Sequence, residues 1–279
     1  MPSSTPRAEG AAKPAGAPGG AQAGGVQTGE RIAKRIARAG LCSRREAEAW
    51  IAAGRVSVDG KKLTSPALVV GPSSIILVDG KPLPGAEPAR LFRYHKPDGL
   101  LTTPRGPEGL TTIYEKLPAD LPRVMPVSPL DLHAEGLLLL TNDGAMKRHM
   151  ELHGRDWLRR YRIRLSGAVE PDKLAALAKG LRIDGVAYGP IRASLDRQKG
   201  INAWLTVALT EGKDRDIRKL CAHLGWTVSR LICVAYGPFQ LGDLPRGAIE
   251  EVAPRMVREQ LGLTASRGKQ QDADRRRQP

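Results

Sequence analysis

In the stretch Val127 to Gly144, V-S-P-L-D-L-H-A-E-G-L-L-L-L-T-N-D-G, one carboxylate, Asp131, stands on a short turn just before an apolar run, Leu137 to Leu140. Four leucines bounded by Gly136 and by Asn142-Asp143-Gly144 are too few for a soluble helix and read as a core strand closed by a turn. A carboxylate tied to such a strand is held rigidly, which is the condition for carboxylate chemistry. The plain alternative is an aspartate that only completes a turn, a common role for that residue.

Other chemically capable residues are not spaced for a site of their own. His149 and His153 are four apart, but H-M-E-L-H is not H-E-x-x-H and no third ligand accompanies them, so no metal site is expected. Glu211-Gly212-Lys213 is not a phosphate-binding P-loop, because Val207 stands where the first glycine belongs and Asp214 replaces Ser or Thr. Asp143 and Glu135 flank the leucine run, where turn and cap roles suit them better than a glycosidase pair. His133, beside Asp131, is assigned no role. Cys42, Cys221 and Cys233 are scattered without C-x-x-C spacing, which argues against a disulfide framework and a zinc knuckle and fits a reducing compartment.

The elements that must position Asp131 lie in a chain of 279 residues with a formal charge of +15 and a pI near 10.1. So large a positive field points to a polyanionic partner, nucleic acid before membrane. No apolar stretch approaches the roughly 18 to 20 residues that span a bilayer, and Met1 to Glu30 lacks a secretory h-region, so a soluble cytoplasmic protein is expected. Residues 1–29 are rich in Ala, Gly and Pro and residues 263–279 are basic and hydrophilic; both are expected to be disordered tails.

Between them, residues 30–87 read as helix, break, helix and strands, with Lys81 to Ala89 as a linker. Ile32, Ile36 and Ala39 share one helical face. Ser43 and Glu46 have capping-box spacing, Gly54 closes the second helix, and Val56-Ser57-Val58 runs into an Asp59-Gly60 hairpin turn. The segment R-I-A-K-R-I-A-R-A-G-L-C-S-R-R-E-A-E-A-W-I-A-A-G-R-V-S-V-D-G-K-K-L resembles the small RNA-binding domain named after ribosomal protein S-four. That resemblance implies that Lys34, Arg35, Arg38, Ser43, Arg44, Arg45 and Arg55 face structured RNA.

Residues 88–262 alternate short strands with helices, an α+β pattern. Leu91 to Tyr94, Tyr161 to Leu165 and Ala203 to Leu209 alternate as strands, and Arg230 to Phe239 reads as another. Ile217, Leu220, Cys221 and Leu224 fall at helical spacing, and Pro254 opens a last helix. Three separated pieces form a set: H-K-P-D-G at His95 to Gly99, S-P-L-D-L-H-A-E-G-L-L-L-L-T-N-D-G at Ser128 to Gly144, and E-G-K-D-R-D-I-R-K-L at Glu211 to Leu220. Together with W-L-R-R-Y-R-I-R and A-Y-G-P-F-Q-L-G-D-L-P-R-G, they resemble the ribosomal RNA pseudouridine synthases that carry an N-terminal S-four-type domain, among them the large-subunit type B enzymes.

This resemblance implies a catalytic domain with a mixed, mainly antiparallel sheet flanked by helices. It implies isomerisation of a uridine within ribosomal RNA, 23S in the type B case, without metal or organic cofactor. Asp131 would be the catalytic aspartate, as nucleophile or as base, and Lys213 would supply its counter-charge. Tyr161 would stack on the target base, and Ile217 or Leu220 would wall the base pocket. The uridine must be unpaired or flipped out, at a cost of a few kcal/mol that phosphate contacts offset; Lys96, Arg105, Arg215, Arg218 and Lys219 would make them. The implied partner is ribosomal RNA, free or in a subunit or assembly intermediate, and the implied state is a monomer.

Two departures stand out. The family has Gly-Arg before Leu-Asp where this chain has Ser128-Pro129, and proline supplies neither a guanidinium nor an N–H. The branch acting on the transfer-RNA T-arm also lacks that arginine. Arg159 stands where a lysine is common. The rival expectation is a non-catalytic RNA-binding or ribosome-assembly protein on a synthase fold weakened by Pro129.

Overall fold

The computed structural model describes residues 29–153, 157–210 and 214–262. The expected tails, apart from Gly29, lie outside the described residues. Two separate hydrophobic cores organise the chain, one from Ile32 to Val78 and one from Leu91 to Leu261.

In the first, α1 (Ile32–Arg38) and α2 (Arg44–Ala52) turn Ile32, Ile36, Ala47 and Ile51 inward. The capping box forms as spaced: the Glu46 N–H donates to Ser43 Oγ at 3.1 Å, and the Ser43 N–H donates to the Glu46 carboxylate at 2.8 Å. Strands β1 (Val56–Val58), β2 (Lys61–Lys62), β3 (Ile76–Val78) and β4 (Lys81–Pro82) form a small antiparallel sheet in the order β2-β1-β3-β4. Asp59 and Gly60 take φ of 49° and 80°, as a type I′ hairpin turn requires. Lys81 and Pro82 pair with Val78 and Leu77, so the first two residues of the expected linker belong to this sheet instead.

The second core fills a nine-stranded sheet. Its main elements are β5 (Leu91–Lys96), β6 (Glu135–Thr141), β7 (Arg159–Ser166), β8 (Arg192–Lys199), β9 (Asn202–Leu209), β10 (Thr227–Tyr236) and β11 (Ile249–Glu251), in the order β8-β9-β7-β10-β6-β5-β11. Helices α3 (Gly144–His153), α4 (Pro171–Lys179), α5 (Asp214–His223) and α6 (Pro254–Gln260) flank it. Neighbours run antiparallel except β6 and β10, which run parallel and share only the register pairs Glu135–Ile232 and Gly136–Cys233. The architecture is α+β with a mixed, mainly antiparallel sheet, as expected.

All seven residues of β6 are buried, which explains the leucine run: a strand covered on both faces reads as a near-continuous apolar run rather than an alternating one. Gly136 makes the tight joint with β10. Its φ is +99°, and a Cβ there would lie 2.1 Å from the Cys233 carbonyl oxygen. The strand expected from Arg230 to Phe239 breaks instead at Gly237-Pro238, after which Phe239 and Gln240 pair back onto Tyr236 and Ala235. Pro238 has no N–H to continue a ladder. Cys42, Cys221 and Cys233 are buried, and burial pushes the Cys42 thiol up to about 11 and that of Cys221 up to about 12.

Candidate active site

The loop carrying Asp131 is fastened through four of its backbone carbonyls. Thr102 Oγ1 donates to Leu130 O at 3.1 Å, and the Gly99 N–H donates to Leu132 O at 3.0 Å. The Lys96 ammonium donates to Leu132 O at 3.1 Å, to Ala134 O at 2.8 Å and to Pro97 O at 3.1 Å. Arg218, from α5, donates to His133 O at 2.8 Å and to Val228 O at 3.2 Å. Inside the loop the Ala134 N–H closes a turn onto Asp131 O at 3.1 Å. The half-buried Asp131 side chain thus projects from a backbone whose polar groups are fixed by β5, α5 and the 98–102 turn.

These bonds correct one expectation. Lys96 is fully buried and cannot meet a phosphate; it reaches under the catalytic-loop candidate instead. Arg218 is half-buried, and its guanidinium donates to two backbone carbonyls. Neither role has a local sequence signal beyond the H-K-P-D-G and D-I-R-K-L motifs themselves.

Tyr161 is 2% exposed on β7. It borders a cavity of about 10 Å³ between Leu130, Leu137 and Leu139 on one side and Cys233 and Tyr236 on the other, with Ser128 and Arg159 also on its wall. That space is about the size of one water molecule. Leu130, the residue before Asp131, therefore brings the aspartate's loop to the Tyr161 cavity. Arg159 lies flat over Tyr236, 4.8 Å from its ring centre, while Trp157 meets the same ring edge-on at 5.5 Å. Pro129 is exposed beside this cavity wall.

Ile217 and Leu220 are not among the residues that line the Tyr161 cavity. They are buried with Ile163, Leu205 and Trp226 around a second void, within the same hydrophobic core as Tyr161. Lys213 and the side chain of Arg215 lie outside the described residues. Lys219 is exposed, and Arg105 is 90% exposed with Glu46 3.6 Å away.

In the N-terminal unit, Glu30 gathers Lys34, Arg35 and Arg38 at 3.8, 3.5 and 2.8 Å. Arg55 stacks over Trp50 at 4.6 Å and forks onto Asp79, whose carboxyl that hydrogen bond holds below its usual value. Arg44 and Arg45 are exposed, and the Ser43 hydroxyl oxygen accepts the cap bond described above.

Glu135 is neither turn nor cap. It is a buried carboxylate that accepts both prongs of Arg230 at 2.9 Å, with Arg246 at 3.1 Å, and the Arg230 hydrogen bonds hold its carboxyl below the usual range. Its local neighbours gave no hint, because Arg230 is 95 residues away. Asp143 does cap: its carboxylate accepts the Ala145 and Met146 N–H groups at 2.8 and 2.6 Å. His149 Nε2 is turned to Leu261 O at 3.1 Å, and His133 Nδ1 lies 3.2 Å from Asp98.

A helix pair and hairpin of this kind, joined to a mixed sheet that presents a clamped aspartate loop beside a buried tyrosine, define an enzyme class, and the family models agree. Residues 30–82 match the S4 domain and residues 90–223 match the RNA pseudouridylate synthase family. The chain belongs to the RNA pseudouridine synthases. Among its relatives, an uncharacterized RNA pseudouridine synthase of Rickettsia prowazekii is 40% identical over 226 residues, covering 81% of this chain and 95% of that one. The ribosomal large subunit pseudouridine synthase B of Salmonella typhi is 41% identical over 225 residues, 77% of each chain. In fold it is similar to a crystal structure of a pseudouridylate synthase, with a TM-score of 0.57 at 24% identity over 83% of this chain and 99% of that one.

Proposed function

We propose that this protein isomerises a uridine to pseudouridine in the RNA of the large ribosomal subunit, with Asp131 as the catalytic carboxylate. In that reaction the bond from N1 of the base to C1′ of the ribose breaks, the base turns over, a bond from C5 to C1′ forms, C5 gives up its proton, and N1 takes one up, so that the product is an isomer of the substrate. Nothing is oxidised or reduced, so the reaction needs no redox partner. The observation that carries the reading is the fourfold backbone clamp on the Asp131 loop beside the Tyr161 cavity, since a reacting carboxylate must be held within a fraction of an ångström of its target. Tyr161 stacks on the flipped base, and Lys213 supplies the counter-charge to Asp131. The similarity to the large-subunit synthase B supports the ribosomal substrate, and the S4 domain supports RNA binding through Lys34, Arg35, Arg38, Arg44, Arg45 and Arg55. Among the described residues no helix is long and apolar enough to cross a membrane; a cytoplasmic monomer fits the reading.

The test is Asp131→Asn. Wild type is expected to convert one uridine in deproteinised or subunit-bound ribosomal RNA, while the variant forms product at least about 10³-fold more slowly and binds RNA as wild type does. Full turnover by the variant would refute the assignment. A wild-type protein that binds both RNA forms without converting either would instead be the RNA-binding protein that Pro129 suggests.

A further inference from the structure

On β7, Tyr161, Ile163 and Leu165 turn into the core, so the alternate residues Arg160, Arg162 and Arg164 all stand on the other, open side of the sheet. The registers continue this face across the neighbouring strands. Arg164 lies opposite Trp204 on β9 and opposite Arg230 on β10, and Arg197 on β8 lies opposite Trp204 from the far side. Directly opposed side chains in a sheet are about 5 Å apart, and like charges there are destabilising. The fold nevertheless sets Arg164 against Arg230 and repeats arginine at three successive outward positions of β7.

The face is also built to hold guanidinium groups in place. Arg162 and Arg230 lie 5.2 and 6.0 Å from the centre of the Trp204 ring. Such stacking fixes a planar cation at little entropic cost and leaves its edge free to donate. Glu135 orients Arg230 from one side, and Asp196 stands 3.6 Å from Arg162 on the other. Among the described residues no carboxylate lies within ion-pair distance of Arg160, Arg164 or Arg197. Along β7 the arginines recur at about 6.6 Å, a distance comparable to that between successive phosphates of an extended nucleic-acid strand.

We propose that this open face grips the sugar-phosphate backbone of RNA at a place separate from the Tyr161 cavity, which faces the opposite side of the sheet. The proposal rests on the reading that the protein acts on RNA, and it adds that the substrate wraps round the domain. A short fragment carrying the target uridine reaches Tyr161 alone; a long ribosomal RNA reaches both sides. Charge decides the class of partner, since an array of five arginines of which only Arg162 and Arg230 meet a carboxylate keeps a net positive charge complementary to a polyanion.

The experiment uses the full chain with Arg160→Gln/Arg164→Gln, and the probe is a fluorescein-labelled 20-nucleotide oligouridylate titrated at several salt concentrations. Loss of two cations is expected to lower affinity about tenfold at low salt and to reduce the slope of log affinity against log salt by about 1.4. Product formation on intact deproteinised ribosomal RNA is expected to show a raised KM with kcat unchanged, and on the same RNA cut to short fragments to match wild type. Quenching of tryptophan emission by the oligouridylate, lost in Trp204→Phe, is a second readout that does not depend on the arginine variants folding. Unchanged affinity, salt slope and quenching overturn the proposal and make an acidic protein surface the better partner for this face. Failure of the catalytic assignment would appear separately, in Asp131→Asn turnover, which these binding measurements do not read.

Discussion

Lys96 puts an ammonium ion where three carbonyl oxygens converge, and two of them belong to the turn that carries Asp131. Hydrogen bonds from a charged donor contribute about 1.5 to 3 kcal/mol each, and a buried carbonyl left without its donor costs about 1 to 3 kcal/mol. Lys96→Met keeps the length and loses the donors. We expect it to lower stability by about 3 kcal/mol, roughly 9 °C in Tm for a chain of this size, and to lower kcat far more than it raises KM, because the loop that aims the carboxylate slackens. Thermal denaturation and turnover on ribosomal RNA check both; a Tm within about 2 °C of wild type would contradict the clamp. From sequence, Asp131 was placed correctly on a turn before a buried strand, because turn residues and an apolar run are neighbours in the chain. The sequence alone offers Lys96 as a phosphate contact, because burial of its side chain depends on a loop 36 residues away. The Glu135 clamp was hidden for the same reason.

At the scale of elements, β6 was legible as a strand from Leu137 to Leu140, while its two additional residues on the N-terminal side were not. Glu135 and Gly136 are a charged residue and a helix breaker in isolation, and only the approach of β10 makes them strand. The close fit at Gly136 gives a sharp test. Gly136→Ala combines positive φ with a Cβ inside the Cys233 backbone, and neither can relax without parting the two strands. A loss of at least about 3 kcal/mol is expected, seen as a fall in the denaturant midpoint; a midpoint like that of wild type would show that the joint is looser than drawn. The arginines of β7 teach a complementary lesson. Their alternation was legible as a strand, but the open side they share became visible only once β9 and β10 gave them Trp204 and Arg230 as neighbours.

At the scale of the whole molecule, the sheet is two antiparallel blocks, β8-β9-β7-β10 and β6-β5-β11, joined where β6 and β10 run parallel over two register pairs. Leu130, Leu137 and Leu139 belong to one block and Tyr161, Cys233 and Tyr236 to the other, so the cavity of about 10 Å³ straddles the join. The long antiparallel ladders on either side hold eight pairs between β7 and β10 and six between β5 and β6. The short parallel joint is the weakest line of the sheet, and amide hydrogen exchange at Gly136 and Cys233 is expected to outpace exchange at Ile163 and Leu138; equal protection would rule this out. The sheet is built like a book with a short spine, whose covers are stiff and whose gutter holds the tyrosine.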